Sequence, residues 1–227
     1  MRTLIPLVSL LVVFSTAPAK AAGNETKSPL SIFCPVYVEG LKSVFVKTGE
    51  DTYNNIALST ANVVDVEDAL VVDGRITLHG PTAGDNAYPV IASADVSGKR
   101  KSLLVLVPGK EAGGKAYDSK VIEGDLNKFP LGSFNLVNLS ANPVRVTSGG
   151  DVIEIKAGAD ALFIPKVPAG EAMPVTIDHQ SGENWQLVSS AQWASRNDRR
   201  TLVCFLLDPA SKRMIVKSVP LRETSGK

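Results

Sequence analysis

The sequence predicts an all-β chain: two similar β-sandwich domains in tandem behind a secretory signal peptide. Three observations predict it. Short apolar runs recur along the chain, each stopped by Gly, Pro, Asn or Asp. No long stretch after the amino terminus holds a clean helical period. The second half of the chain also repeats the first at an offset of about 100 residues.

Composition narrows the class. The 227 residues are 44% hydrophobic and 21% charged, which excludes a disordered tail, a collagen-like fibre and a disulfide-dense mini-protein. With 24 Lys+Arg against 23 Asp+Glu, the net charge of +1 is too balanced for nucleic acid. Two histidines and two cysteines leave little for a His/Cys metal cluster, so no metal or cofactor is expected.

Residues 1–21 carry the three parts of a signal peptide in order. Arg2 is followed by the apolar run LIPLVSLLVVF, and then by small residues in Ala17-Pro-Ala19-Lys-Ala21. A membrane span needs about 20 apolar residues, and this run is far shorter. Cleavage after Ala21 removes Arg2 and Lys20 and leaves a chain without a transmembrane segment, exported to the periplasm or beyond. Asn24-Glu-Thr26 and Asn138-Leu-Ser140 match the glycosylation sequon, a short pattern that also recurs by chance.

Strands are expected at 43–47 (SVFVK), 74–79 (GRITLH), 102–107 (SLLVLV), 133–139 (SFNLVNL), 143–147 (PVRVT), 152–156 (VIEIK) and 201–207 (TLVCFLL). Val144 and Val146 alternate with Arg145 and Thr147; Ile153 and Ile155 alternate with Glu154 and Lys156. That period of 2, around Thr147-Ser-Gly-Gly-Asp151, predicts a β-hairpin. The stretch 60–70 admits a helical turn.

The repeat sets Phe33 on Phe134, 43–51 on 143–151, Ile76-Thr-Leu78 on Val175-Thr-Ile177, Val90 on Val188 and Leu103 on Leu202. It divides the mature chain into 29–126 and 129–222. Each unit has the size of an immunoglobulin-like sandwich. The linker Gly124-Asp-Leu-Asn-Lys-Phe-Pro130 is short, so the two copies should touch. The run 129–140 (FPLGSFNLVNLS), Pro143-Val-Arg-Val146, the glycine hairpin and Asp198-Arg-Arg-Thr-Leu-Val203 resemble a family of exported bacterial proteins of unknown function, of tandem β-sandwich type. That resemblance implies a bacterial envelope setting and carries no catalytic residues with it.

Motifs that mark chemistry are few. There is no Gly-x-Ser-x-Gly, His-Glu-x-x-His or Cys-x-x-Cys. Asp65-Val-Glu-Asp68, with Asp73, is the densest carboxylate cluster and reads as a solvated turn before a strand at 69–72. His79 and His179 end strands in different copies. Cys34 and Cys204, in apolar strands, read as two free thiols, although export would permit a bridge. Trp185 and Trp193, eight apart in one strand, should share a face: either core or a platform for sugar rings. Arg199 and Arg200, with Arg196, sit where the first copy has Lys99-Arg-Lys101, and could contact an acidic polymer or guard the strand that follows. The binding candidates are therefore Trp185, Trp193, Arg199 and Arg200.

The expected function is a non-enzymatic envelope or periplasmic module binding a protein or polysaccharide. Two alternatives stand beside it. One is a carbohydrate-active enzyme using paired carboxylates such as Asp65 and Glu67; the other is a structural subunit joined through strand edges.

Overall fold

A computed structural model describes residues 23–82, 88–109 and 114–221. The expected signal peptide lies outside the described residues. Among the described residues every regular element is a β-strand.

In the N-terminal half, β1 (Glu25–Phe33) pairs antiparallel with β4 (Val64–Val72) and parallel with β7 (Ser102–Pro108). β8 (Tyr117–Glu123) extends β7, giving the order β4-β1-β7-β8. β2 (Ser43–Lys47), β3 (Tyr53–Ala57), β5 (Arg75–His79) and β6 (Val90–Asp95) pair in the order β3-β2-β5-β6. Only the Val72–Arg75 pairing links these two groups. It closes a tight turn in which Asp73 and Gly74 both take positive φ, 50° and 75°, the geometry a two-residue hairpin demands.

The C-terminal half follows the same order. β9 (Phe134–Asn138) lies between β12 (Asp160–Phe163) and its parallel partner β15 (Arg200–Leu207), and β16 (Met214–Leu221) completes β12-β9-β15-β16. β10 (Val144–Ser148), β11 (Asp151–Ile155), β13 (Ala172–Ser181) and β14 (Asn184–Ala194) form β11-β10-β13-β14. The expected β10–β11 hairpin is present, with Gly149 and Gly150 at φ 56° and 90°.

Three apolar cores stack these sheets into four layers. The first lies between β2/β5/β6 and β1/β4/β7, with Val44, Val46, Ile76 and Leu78 meeting Leu30, Ile32, Val66 and Leu104. The third lies between β9/β15 and β10/β13, where Leu136, Val203 and Phe205 meet Val144, Val146, Val175 and Ile177. The second joins the halves: Phe33, Leu103, Val105 and Ile122 pack on Val137, Leu202, Cys204, Leu206 and Val219. The two inner sheets are thus covered on both faces.

That burial explains two patterns in the sequence. β7 and β15 read as unbroken apolar runs because successive side chains enter different cores: Leu103 and Val105 the shared one, Leu104 and Leu106 the first. β10 alternates because its outer face meets water.

Several expectations shift. The stretch 60–70 makes bends and then enters β4, with no helical turn. Asp65, Glu67 and Asp68 lie within that strand and not in a turn before it. Alternation alone explains the burial of Val66 between exposed Asp65 and Glu67. The setting of Phe33 on Phe134 also changes. Phe33 faces the shared core and Phe134 the third, and a slip by an odd number of residues swaps the faces of a strand. Strand pairing sets Phe33 against Val105, and Val137 against Cys204, both in the shared core. Asn138 of the second sequon is fully buried, its Nδ2 donating to the carbonyls of Asn142, Ile155 and Lys156, so it serves the turn and presents no acceptor to solvent.

Candidate functional site: a ring pad on an outer sheet

The two tryptophans do not share a face. On β14, Ile177 pairs with Ser189 but the next residue, Asp178, pairs with Leu187, so Val188 is an extra residue, a β-bulge. Eight residues of regular strand would put both indoles on one side, and one inserted residue reverses one of them. Trp193 faces the third core and stacks on Phe134, centroids 5.0 Å apart and planes 23° apart. Trp185 faces outward, with the Arg145 guanidinium 4.4 Å above its ring. No composition or motif signal marks the bulge; the uninterrupted polar and apolar residues of β14 look like ordinary strand.

Single-tryptophan variants should separate the two environments. Trp185→Phe leaves only Trp193, and its emission should be blue-shifted and weakly quenched by acrylamide; Trp193→Phe should leave a redder, more quenchable signal. Equal spectra from the two variants would contradict the bulge.

The same insertion occurs in the N-terminal half. Leu78 pairs with Ala92 and His79 with Val90, so Ile91 is extra. His79 is thereby the counterpart of Asp178, Val90 of Leu187, and Tyr88, two residues earlier, of Trp185. The expected match of Val90 with Val188 is off by one residue, and that residue hid an aromatic in the first half.

Around this bulge the outer face of β2, β3 and β5 gathers four rings. Val44 and Val46 point into the core, so Phe45 between them points out. Register places His79 beside Phe45 on β5, and Tyr53 beside Lys47 on β3. Tyr88 closes the group. Its ring lies 4.8 Å from Phe45 and 4.6 Å from Tyr53, with planes tilted by 40° and 30°. These short spacings make Phe45, Tyr53 and Tyr88 one continuous, half-buried pad. Asn55, opposite Phe45 on β3, and the exposed Val90 border it.

His79 fixes the pad from below. It is 8% exposed, meets Tyr53 edge-on at 5.2 Å and holds the Tyr88 backbone. A carbonyl can only accept, so Nδ1–H donates to the Tyr88 carbonyl at 2.9 Å, and Nε2 shares a hydrogen bond with the Thr77 hydroxyl at 3.1 Å. The sequence places His79 correctly at a strand end, whereas His179 lies inside β13; it does not reveal the three aromatic neighbours of His79, which come from β2, β3 and the second residue before β6.

The arginines divide. Arg199 is a surface residue paired with adjacent Asp198, Nε to Oδ1 at 3.2 Å. Arg200 is 1% exposed. Its Nη1 donates to the carbonyls of Gly124 (2.7 Å) and Phe129 (3.1 Å), and its guanidinium lies 5.1 Å from the Phe129 ring. It clasps the linker between the halves.

Beside it, a cavity of about 390 Å³ opens in the seam, lined by Ser31, Asn62, Asp65, Lys101, Arg200 and Leu221 among others. Ser31 donates to Asp65 there at 2.5 Å. Asp65 is the cavity's only carboxylate among the described lining residues; Glu67, its expected partner in catalysis, is not part of it.

Cys34 and Cys204 are free and buried in different cores. Burial pushes the Cys34 thiol up to about 11 and raises that of Cys204 further, so both stay protonated and inert at neutral pH. Among the described residues no group of three His, Cys, Asp or Glu is placed to hold a metal ion, and no helix is long and apolar enough to cross a membrane. No family model and no curated protein matches the sequence.

Proposed function

We propose that the chain is a non-enzymatic binding module of the cell envelope, exported to the periplasm or beyond. In this reading it is built as two tandem immunoglobulin-like sandwiches fused through a shared core, and it holds a polysaccharide on the Phe45–Tyr53–Tyr88 pad. The pad carries the reading. Its rings are half-exposed beside the exposed Val90, and contiguous apolar patches at a protein surface mark interaction sites. Pyranose rings present apolar C–H faces that rest on aromatic rings, and hydroxyls at their edges that hydrogen-bond to side chains such as Asn55. The matched order of strand pairing in the two halves supports the duplication, and the signal-like amino terminus supports export.

Purified peptidoglycan sacculi, and a soluble β-1,4-glucan run as a second probe, test the reading by co-sedimentation and affinity electrophoresis. Tyr53→Ala with Tyr88→Ala should weaken retention about 10- to 100-fold, a loss of about one stacking contact's energy per ring. Retention unchanged by the double substitution, or absent for the unaltered protein on both polymers, would refute it.

A further inference from the structure

We infer that the opposite pole of the molecule carries a second glycan site, centred on Trp185, so that one copy bridges two polymer chains. The inference rests on the polysaccharide reading above and extends it.

Geometry supplies the first argument. β3-β2-β5-β6 and β11-β10-β13-β14 are the outermost of four stacked layers, and three cores lie between their inner faces. Their outer faces therefore point in opposite directions. Two sites so placed cannot both lie on one flat polymer surface; they can only join two chains.

The bulge supplies the second. Both outer sheets carry one extra residue at corresponding points, Ile91 and Val188. In each, the insertion turns a large apolar residue outward, Val90 at 44% and Leu187 at 64% exposure. Each also has an aromatic two residues before it, Tyr88 and Trp185. Bulges that re-aim side chains are kept at functional positions.

Charge supplies the third, and it points to a glycan. Arg145 takes the place of Phe45 between two core valines, and Asp178 takes that of His79. The pair neutralise each other, with Nη2 at 3.0 Å and Nε at 3.3 Å from Oδ2, and the ion pair holds the guanidinium over the indole. The result is a ring, an apolar neighbour and a self-balanced polar pair. Exposed Glu154, opposite Arg145 on β11, adds one negative charge to this face, which disfavours an acidic polymer and leaves an uncharged ring edged with hydroxyls as the ligand it suits.

A two-layer capture experiment tests this. A neutral β-1,4-glucan is immobilised, the protein is bound, and fluorescent chains of the same glucan are then offered. Unaltered protein should capture the second layer. Trp185→Ala with Leu187→Ala should bind the first layer within about twofold of the unaltered protein yet lose second-layer capture at least tenfold, and Trp185→Phe should restore most of it. Thermal melting of each variant reports folding, which these outward side chains should leave intact. If the Trp185/Leu187 variant captures the second layer as well as the unaltered protein, the second site is wrong while the pad reading stands. If the unaltered protein binds neither this first layer nor peptidoglycan sacculi, the pad reading falls and this one with it.

Discussion

Replacing Arg200 with leucine lowers the stability of the protein by about 3–4 kcal/mol, a larger loss than at any surface arginine. The reasoning starts from burial. At 1% exposure the guanidinium has no water to fall back on, and it bonds the Gly124 and Phe129 carbonyls of the linker. Leucine fills part of the volume but donates nothing, so two carbonyls at a buried turn lose their partner, each at about 1–3 kcal/mol. The stacking contact with Phe129 goes as well. For a chain of this size, the melting temperature should fall by about 10 °C. Arg200→Lys should recover only part of the loss, because an ammonium cannot span two carbonyls as a planar fork does. Arg199→Ala is the control: its solvent-screened surface pair with adjacent Asp198 should leave the melting temperature nearly unchanged. Equal melting temperatures for the Arg199 and Arg200 variants would show that the linker does not depend on this clasp.

Arg200 also shows where sequence reading stops. Strand positions were legible because turn residues punctuate them locally; Gly149 and Gly150 are a turn whatever the rest of the chain does. The strands buried on both faces could be found as apolar runs, but nothing in such a run says which core each side chain enters. Hence sequence similarity sets Phe33 against Phe134, although they face different cores. Arg199 and Arg200 are neighbours of the same type, and only the point at which β15 begins, with Arg200 on its buried side, decides that one meets solvent and the other the linker. The pad was hidden for a related reason. Its rings are scattered at 45, 53 and 88, and they converge only because the β2–β3, β2–β5 and β5–β6 registers bring them together. Trp185 and Trp193 advertised themselves by spacing, and a single inserted residue undid the inference. Local chemistry was readable; the registers and bulges that select a face are set by tertiary packing.

The largest effect should come from dividing the chain. Expressed separately, 23–126 and 127–221 should not persist as soluble monomers, and the intact protein should unfold in one cooperative transition. Independent sandwiches joined by a flexible linker would give two transitions and two soluble halves. Here the inner sheet of each half is apolar on both faces. Separation would expose Phe33, Leu103, Val105 and Ile122 on one piece, and Val137, Leu202, Leu206 and Val219 on the other. All eight are buried in the intact protein, at no more than 4% exposure. Fully burying a side chain of this kind is worth about 1.5–3 kcal/mol, so the shared core stands well above the few kcal/mol that keep a domain folded. Exposed together on a flat sheet, the same residues form an aggregation surface. A point substitution asks the same question without cutting the chain. Leu202→Asp places a carboxylate in the middle of this core, where no described side chain of the cluster can pair with it, and should cost more than about 4 kcal/mol. Its effect should spread to both halves, with amides of β2 and β10, far from the substitution, losing hydrogen-exchange protection together. Loss of protection confined to β15 and β16, or two halves that remain soluble and cooperative alone, would mean that the halves fold independently and that the shared core is only a contact.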